Sequence, residues 1–262
     1  MKKVSFVCTT YRRFTCVERI ISQYHNQTYQ NKELIIFNTD IEFPLFLGFN
    51  DKSIIVINNS LDYLNKEDYK NRGQICRDAI THASGDYFML ADDDDIYLPW
   101  HIQQAVDGIE SNKLDAWKPE KSFFALPDNI SLVRNTMEAS VIVKMNRIRE
   151  IGFRQDLTGY EGLSWYVKLR DEGQLDENNV NYIPSYCFNW SDDKCIAGHK
   201  QSGDIDNPKN FENHKRETND YAKRPLLLEK YVKEYDRYYK YLINNKDILN
   251  EDYYNKYFTA VQ

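Results

Sequence analysis

The chain has 262 residues, of which 42% are apolar and 28% are charged, and its formal net charge is -6 at pH 7. This length suits one domain, or one domain with a small appendage, and the scarcity of glycine and proline argues against long linkers or low-complexity segments. The negative charge excludes a general electrostatic attraction to nucleic acid or to anionic lipid.

The cysteines and the N-terminus indicate a reducing compartment. The five cysteines are an odd number without Cys-X-X-Cys spacing, which is typical of reduced thiols and argues against a zinc site. The apolar run after Met1 is too short for a signal-peptide core, and no window reaches the length of a membrane span. We therefore expect a cytoplasmic protein without a transmembrane segment.

The first hundred residues predict strands that alternate with helices. Apolar runs predict strands at 4–8, 34–37, 53–57 and 87–91, and apolar residues at helical spacing predict helices at 16–24 and 74–83. This alternation predicts a parallel α/β sheet. Ligands of such sheets bind beyond the carboxyl ends of the strands, where Thr9 and Thr10, residues 38–40 and residues 92–95 all fall. We expect these polar clusters to meet at one edge.

Four consecutive aspartates, residues 92–95, directly follow the strand at 87–91. Adjacent like charges are unfavourable without a positive partner, and carboxylate oxygens suit a hard divalent cation. In an extended segment Asp92 and Asp94 would project to the same side. The run predicts a Mg²⁺ or Mn²⁺ site that also takes a phosphate-bearing ligand. The alternative is a solvated acidic turn that caps the helix opened by residues 98–100.

The second half of the chain has a mixed pattern. It predicts a helix at 101–109, a strand at 139–143, a helix at 162–170 and edge strands at 182–183 and 186–188.

The last sixty residues contain nine of the 20 tyrosines. A stripe of apolar and aromatic residues recurs there at helical spacing: Leu227, Tyr231, Tyr235, Tyr238 and Leu242. We expect the stripe to pack against the rest of the chain. An oligomer contact, acceptor binding and membrane-surface docking are the alternatives.

Five short motifs lie in the first half of the chain. They are the segment 4–13, Asn71-Arg72-Gly73, Cys76-Arg77-Asp78, the segment 83–87, and the aspartate run with its successor Ile96-Tyr97-Leu98-Pro99. In order and spacing, these motifs resemble those of family 2 glycosyltransferases. The resemblance covers about residues 4–110 and, more loosely, the chain to about 190. It implies a GT-A fold, which is a Rossmann-like, mostly parallel sheet flanked by helices. The domain would span 1–200, with a nucleotide-sugar-binding half at 1–110, an acceptor half at 111–200 and a helical, Tyr-rich extension at 201–262.

The resemblance also implies an activity. Family members transfer a sugar from a nucleoside diphosphate donor to an acceptor hydroxyl with inversion, using Mn²⁺ or Mg²⁺ and a carboxylate base. We expect a UDP-sugar donor and a glycan or other saccharide acceptor. An oligomer contact through the C-terminal helix is an open option. A modified DNA base as acceptor and a non-catalytic nucleotide-sugar-binding module are the alternatives. A nucleotidyltransferase is disfavoured because its glycine-rich loop is missing after the first strand.

Position by position, the resemblance implies a set of site residues. The nucleotide-binding residues would be Thr9, Thr10, Tyr11, Arg13, Asn38, Asp40, Arg77, Asp92 and Asp93. The metal ligands would be Asp94, Asp92 and His199. The family has an acidic residue after its second strand that accepts the uracil N3 proton. Asn38 and Thr39 stand at the expected positions here, and Asp40 follows one residue later. Since an Asn oxygen also accepts such a bond, UDP is only the favoured nucleotide.

The general base departs from the family pattern. A Glu-Asp pair expected at the start of a helix is reduced here to Glu161 followed by Gly162. We expect Glu161 to be the base, with Asp156 as the alternative. Helix capping is the structural role open to Glu161.

Overall fold

A computed structural model describes residues 1–126, 128–155, 162–179, 182–189, 225–228 and 235–259. The strands are β1 (Val4–Thr10), β2 (Lys32–Asn38), β3 (Ile54–Asn58), β4 (Tyr87–Ala91), β5 (Ile96–Tyr97), β6 (Ala116–Trp117), β7 (Lys121–Leu126), β8 (Asn129–Arg134), β9 (Ile142–Lys144), β10 (Leu175–Asp176) and β11 (Tyr186–Asn189). The helices are α1 (Phe14–Asn26), α2 (Arg72–Ala79), α3 (His101–Asn112), α4 (Met145–Ile151), α5 (Leu163–Asp171) and α6 (Asp236–Asn244). A short helical turn, Glu251–Tyr253, continues as a π-helix over Tyr254–Phe258.

A seven-stranded sheet in the order β10-β6-β9-β4-β1-β2-β3 forms the centre of the molecule. Its strand pairs are parallel except those of β9, which runs antiparallel to both β4 and β6. Thr10 at the end of β1 lies opposite Asn38 at the end of β2, which lies opposite Asn58 of β3. The predicted parallel α/β sheet is confirmed, and the carboxyl ends of its first strands coincide.

Helices cover both faces of this sheet because neighbouring strand residues point to opposite sides. Phe6 of β1 belongs to the core that includes α1 and α3, whereas Val7 belongs to the core that includes α2, α4 and α5. Both residues are fully buried. The result is a three-layer arrangement that leaves the carboxyl edge for polar groups.

A second sheet contains four strands in the order β5-β11-β7-β8. The C-terminal helix α6 packs against this sheet. A third core cluster joins Trp100 and Phe123 to Tyr238 and Leu242 of α6. The predicted packing of the aromatic stripe is therefore confirmed for its described helical members. Leu227 is 40% exposed, and Tyr231 lies outside the described residues.

The structure corrects three local predictions. Residues 138–140 form a 3₁₀ turn rather than the start of a strand, because Asn135 donates to the Ser140 hydroxyl (2.7 Å) and Ser140 donates to the Met137 carbonyl (2.6 Å). Such local bonds compete with a strand ladder. Residues 182 and 183 are not in a strand, and the short helix α4 was not predicted.

Two other expectations concern membranes and thiols. Within the described ranges, no helix combines the length and the apolar character that crossing a bilayer requires. Cys8, Cys16, Cys76 and Cys187 are buried, and Cys195 lies outside the described residues.

Candidate functional site

The aspartate run forms a turn directly after β4, which we call the aspartate turn (residues 92–95). The Asp95 amide donates to the Asp92 carbonyl (3.3 Å), and the side chains from Asp93 to Asp95 are buried. The expectation of an extended segment is therefore wrong. The alternative of a solvated helix cap is also wrong, because the turn is buried and β5 separates it from α3.

The end of the aspartate turn is anchored to β11. Both carboxylate oxygens of Asp95 accept hydrogen bonds, one from the Tyr186 hydroxyl and one from the Asn189 amide (3.1 Å). The Asn189 side chain also donates to the Asp94 carbonyl (3.1 Å). Because Asp95 is fully buried, these bonds replace the water that its charge loses. Asp95 therefore connects the aspartate turn to β11 of the second sheet.

Arg13 holds two of the aspartates together. Its guanidinium donates to the Asp93 carboxylate (2.6 Å) and to the Asp94 carboxylate (2.8 Å), while the Thr10 hydroxyl donates to Asp93 (2.7 Å). Burial raises the pKa of Asp93, Arg13 opposes that shift and Asp94 adds to it. The structure thus brings the predicted residues Thr10, Arg13, Asp93 and Asp94 into one cluster.

Arg72 provides a second positive charge that the sequence analysis missed. Its Nη2 contacts the Asp92 carboxylate, and its Nε donates to the Thr9 hydroxyl (3.3 Å). Arg72 is the first residue of α2, whose N-cap Asn71 accepts from the Gln74 amide. The sequence signal for Arg72 was its position directly after Asn71, a residue type that caps helix N-termini. Because helix side chains tilt toward the N-terminus, the first residue of a helix that begins at the carboxyl edge reaches that edge.

The predicted nucleotide ligand Arg77 contacts a different set of residues. Its guanidinium donates to Asp62 (2.7 Å), Asp78 (2.9 Å) and the Gln155 side chain (3.2 Å). It lies five residues after Arg72 on α2, and with 3.6 residues per turn the two side chains leave different faces of the helix. Of the two arginines of α2, Arg72 rather than Arg77 contacts the aspartate turn.

The residues after β2 form a network of their own. The side-chain amide nitrogen of Asn38 donates to the Asp40 carbonyl (2.9 Å), the Phe43 carbonyl (3.1 Å) and the Asn58 side chain (2.8 Å). The Asp40 carboxylate pairs with Arg12, whose guanidinium lies 5.2 Å from the ring centre of Tyr11. Asn38 and Asp40 therefore shape the loop at the carboxyl edge, and their contact with a nucleobase stays a prediction.

A further acidic residue, Glu138, lies in the 3₁₀ turn at residues 138–140 and contacts Gly162, the residue before α5. Its carboxylate accepts from the Gly162 amide (3.3 Å), and a Cβ on Gly162 would come within 3.0 Å of it. The next residue, Ala139, accepts at its carbonyl from the Tyr97 hydroxyl (3.3 Å), which itself accepts from the Asp92 amide (3.0 Å). Glu138 is thus linked to the aspartate turn. The predicted bases Glu161 and Asp156, and the predicted ligand His199, lie outside the described residues.

Comparison with known proteins gives relatives both in sequence and in structure. No protein-family model matches the chain. The uncharacterized glycosyltransferase YwdF of Bacillus subtilis (strain 168) is 34% identical over 113 residues, which are 42% of this chain and 39% of the relative. The match thus spans less than half of that protein's length.

Two solved structures define the architecture. The S. aureus TarS 1-349 complex with UDP-GlcNAc matches with a TM-score of 0.55 at 12% identity, covering 74% of this chain and 60% of TarS. The mannosyltransferase PcManGT from Pyrobaculum calidifontis, in complex with GDP-Man and Mn²⁺, matches with a TM-score of 0.51 at 12% identity over 80% and 67% of the two chains. The fold is of the GT-A type.

The aspartate turn of this GT-A fold has the donor atoms of a cation site. One carboxylate oxygen from each of Asp92, Asp94 and Asp95 lies within 4.8 Å of the others. Since Asp95 is committed to Tyr186 and Asn189, Asp92 and Asp94 are the better ligands. An all-oxygen set suits Mg²⁺ or Mn²⁺, so the residues fit the predicted metal.

Proposed function

We propose that this protein is an inverting, metal-dependent glycosyltransferase that moves a sugar from a nucleoside diphosphate, with UDP favoured, to an acceptor hydroxyl on a saccharide. The observation that carries the proposal is the aspartate turn at the carboxyl edge of a GT-A sheet, with Arg13 and Arg72 on its carboxylates. The names of the relatives support it, since one is a glycosyltransferase and two solved neighbours hold a nucleotide sugar.

The donor side needs positive charge and a rigid frame. Arg72 is about one-third exposed, so its planar guanidinium can exchange the Asp92 carboxylate for phosphate oxygens, which it matches in geometry. Arg13 is held by Asp93 and Asp94 and fixes their orientation. Asp92 and Asp94 would hold a divalent cation, which supplies electrostatic stabilisation of the diphosphate leaving group when bound.

The acceptor side needs a base. We place it at Glu161, with Asp156 as the alternative, because residue 161 directly precedes Gly162, whose amide is held by Glu138. The base takes the proton from the acceptor oxygen as that oxygen attacks the sugar.

Nucleotide binding tests the donor assignment. Nucleoside diphosphates are screened by thermal shift with Mn²⁺, and UDP at about 100 times its Kd should raise the Tm by roughly 5 °C. Asp94→Asn should lose the Mn²⁺-dependent part of the shift, whereas the exposed control Asp252→Asn should keep it. If no nucleoside diphosphate shifts the Tm of the wild type, the proposal is wrong.

The catalytic and acceptor alternatives have separate readouts. A non-catalytic module would bind UDP but release none from a panel of UDP-sugars. A DNA acceptor would appear as retention on a DNA column that falls steeply with salt.

A further inference from the structure

A group of charged residues surrounds the end of β6, away from the aspartate turn but at the same edge of the sheet. β6 runs parallel to β4 because both are antiparallel to β9, and Trp117 and Met89 both lie opposite Ile142. Lys118, which follows Trp117, is thus level with Leu90. It lies two strand spacings away, or roughly 10 Å.

These residues also share a face of the sheet with the donor side. Ala116 of β6 belongs to the core that includes α2 and α5, so by alternation Lys118 points to that face. Tyr166 of α5 confirms this direction, since its ring centre lies 5.5 Å from the Lys118 ammonium. Arg72, on the aspartate turn, comes from α2 on the same face.

Lys118 is a buried cation whose charge is already balanced. Its side chain is 3% exposed, and its ammonium contacts the Asn135 carbonyl and lies 3.4 Å from the Glu177 carboxylate. The Tyr166 hydroxyl donates to the same carboxylate (3.1 Å). Lys118 and Tyr166 therefore occupy Glu177, and that carboxylate has little capacity left for other cations.

Further cations nevertheless converge on this place. Burial lowers the pKa of the Lys118 ammonium, Glu177 opposes that shift, and Arg134 and Arg170 reinforce it. Both arginines are exposed, and Arg170 has its adjacent residue Asp171 as partner (3.2 Å). The Arg170 guanidinium also lies 5.9 Å from the centre of the Tyr166 ring that Lys118 faces, and Arg134 directly precedes Asn135, whose carbonyl Lys118 contacts. Two guanidinium groups thus lie near an ammonium that already uses the local carboxylate.

A like-charge pair adds to this excess. Lys121 of β7 lies directly opposite Arg134 of β8 in the antiparallel ladder, an arrangement that is unfavourable without an anion. In the part of the chain that the structure describes, neither residue has an ion-pair partner. This contrasts with Arg13 and Arg72, which the aspartate turn neutralises.

We propose that Lys121, Arg134 and Arg170, supported by Lys118, form an anion subsite that binds a phosphate or carboxylate group of the acceptor. We call these four residues the basic cluster. The assignment rests on the proposed glycosyltransferase function and deepens it, because it names an anionic saccharide as the acceptor class. Two exposed guanidinium forks suit such a group, and the cluster lies on the acceptor half at a distance that spans a short saccharide.

Calorimetric titration of the full chain with matched sugars tests the subsite. The probes are glucose 6-phosphate, glucuronate and glucose, each added with UDP and Mn²⁺ present and again without them. At least one of the two anionic sugars should bind at least tenfold more tightly than glucose. Comparison of glucose 6-phosphate with glucuronate shows whether the subsite prefers phosphate or carboxylate. Equal affinities for all three sugars would overturn the proposal.

Variants locate the effect. The double variant Arg134→Ala with Arg170→Ala should lose the anion preference at least tenfold. Lys168→Ala is the matched control, because Lys168 is an exposed cation of the same helix that pairs with Glu150 (3.7 Å). An equal loss in the control would also overturn the proposal. An unchanged UDP thermal shift in the double variant shows that this variant is folded. If the wild type binds the anionic sugar but no nucleotide, only the proposed donor function is refuted.

Discussion

At the scale of single residues, the charges of the aspartate turn are balanced by two arginines. Arg13 is three-quarters buried and bridges Asp93 and Asp94, so its removal would take the compensating positive charge of Arg13 away from two buried carboxylates. Loss of one partner from such a pair typically costs about 3–5 kcal/mol. Arg72 is more exposed and contacts the Asp92 carboxylate. Of the two arginines, we therefore expect a substitution of Arg72 to disturb the folded site less.

The pair Arg72 and Arg77 gives the first prediction. Arg72→Lys should weaken UDP binding by roughly tenfold or more, because a charge-assisted bond is worth about 1.5–3 kcal/mol and lysine lacks the planar fork. Arg77→Lys, on the same helix, should leave UDP affinity within about twofold, since its partners are Asp62 and Asp78. Titration of both variants with UDP and Mn²⁺ measures this. If Arg77→Lys weakened UDP binding more than Arg72→Lys did, Arg77 would be the nucleotide ligand instead.

The base gives the second prediction. Glu161→Gln should keep the UDP thermal shift but lower transfer by about 10²–10⁴-fold, because the amide cannot take the acceptor proton. Asp156→Asn is the comparison and should retain transfer. Sugar transfer is followed by UDP release with acceptor present. Normal transfer in Glu161→Gln together with loss in Asp156→Asn would exchange the two roles.

At the scale of elements, Glu33 ties β2 to two neighbouring segments. Its carboxylate accepts from the Ser5 hydroxyl of β1 (2.6 Å), from the Ser84 amide before β4 (2.6 Å) and from the Lys3 ammonium (2.5 Å). Burial would raise the pKa of Glu33, but these bonds outweigh it and lower the pKa below its ordinary value of 4.5. The three segments are thus held in register by one ionised group.

This carboxylate gives a prediction for stability against pH. Because the folded pKa of Glu33 is lowered, its contribution is complete above about pH 5 and is lost as pH falls through the folded pKa. Glu33→Gln should lower the free energy of unfolding by about 1–3 kcal/mol at pH 7, with a smaller difference below pH 4. Urea unfolding at both pH values measures this. The exposed control Glu67→Gln should change neither value, and a pH-independent loss in Glu33→Gln would contradict the assignment.

At the scale of the whole molecule, the C-terminal helix completes a core that the second sheet cannot close alone. Tyr238 and Leu242 of α6 are fully buried against a cluster that includes Phe123 and Trp100. The Cys187 thiol of β11 also contacts the Tyr238 hydroxyl (3.1 Å). Because β11 is anchored to Asp95, the helix supports the strand that holds the end of the aspartate turn.

Leu242 tests this role. Leu242→Ala should reduce the free energy of unfolding by about 2–5 kcal/mol, the cost of a cavity in a packed core. Ile243→Ala is the control on the same helix, because Ile243 is 50% exposed, and it should change stability by less than about 0.5 kcal/mol. Urea unfolding of both variants is the measurement. Equal effects would show that α6 does not belong to the folded core.

Apolar periodicity and chain order were sufficient to predict the sheet and its functional edge. The strand at 87–91 has the predicted bounds, and Thr10, Asn38 and the aspartate turn meet at the carboxyl edge as expected. These features depend on patterns within a few residues and on the rule that successive parallel strands end on one side. The resemblance of the motifs supplied the GT-A fold for the same reason, since those motifs are local.

The tertiary structure alone decided which charged side chains meet. Arg72 rather than Arg77 reaches the aspartate turn, and Asp95 bonds Tyr186 at a separation of 91 residues. The exposed cations Arg134 and Arg170 approach Lys118 from separate elements in the same way, because Arg170 and Lys118 both lie near the Tyr166 ring and Arg134 precedes Asn135, whose carbonyl Lys118 contacts. Such pairings depend on helix phase and on strand register between distant segments, which no local pattern encodes.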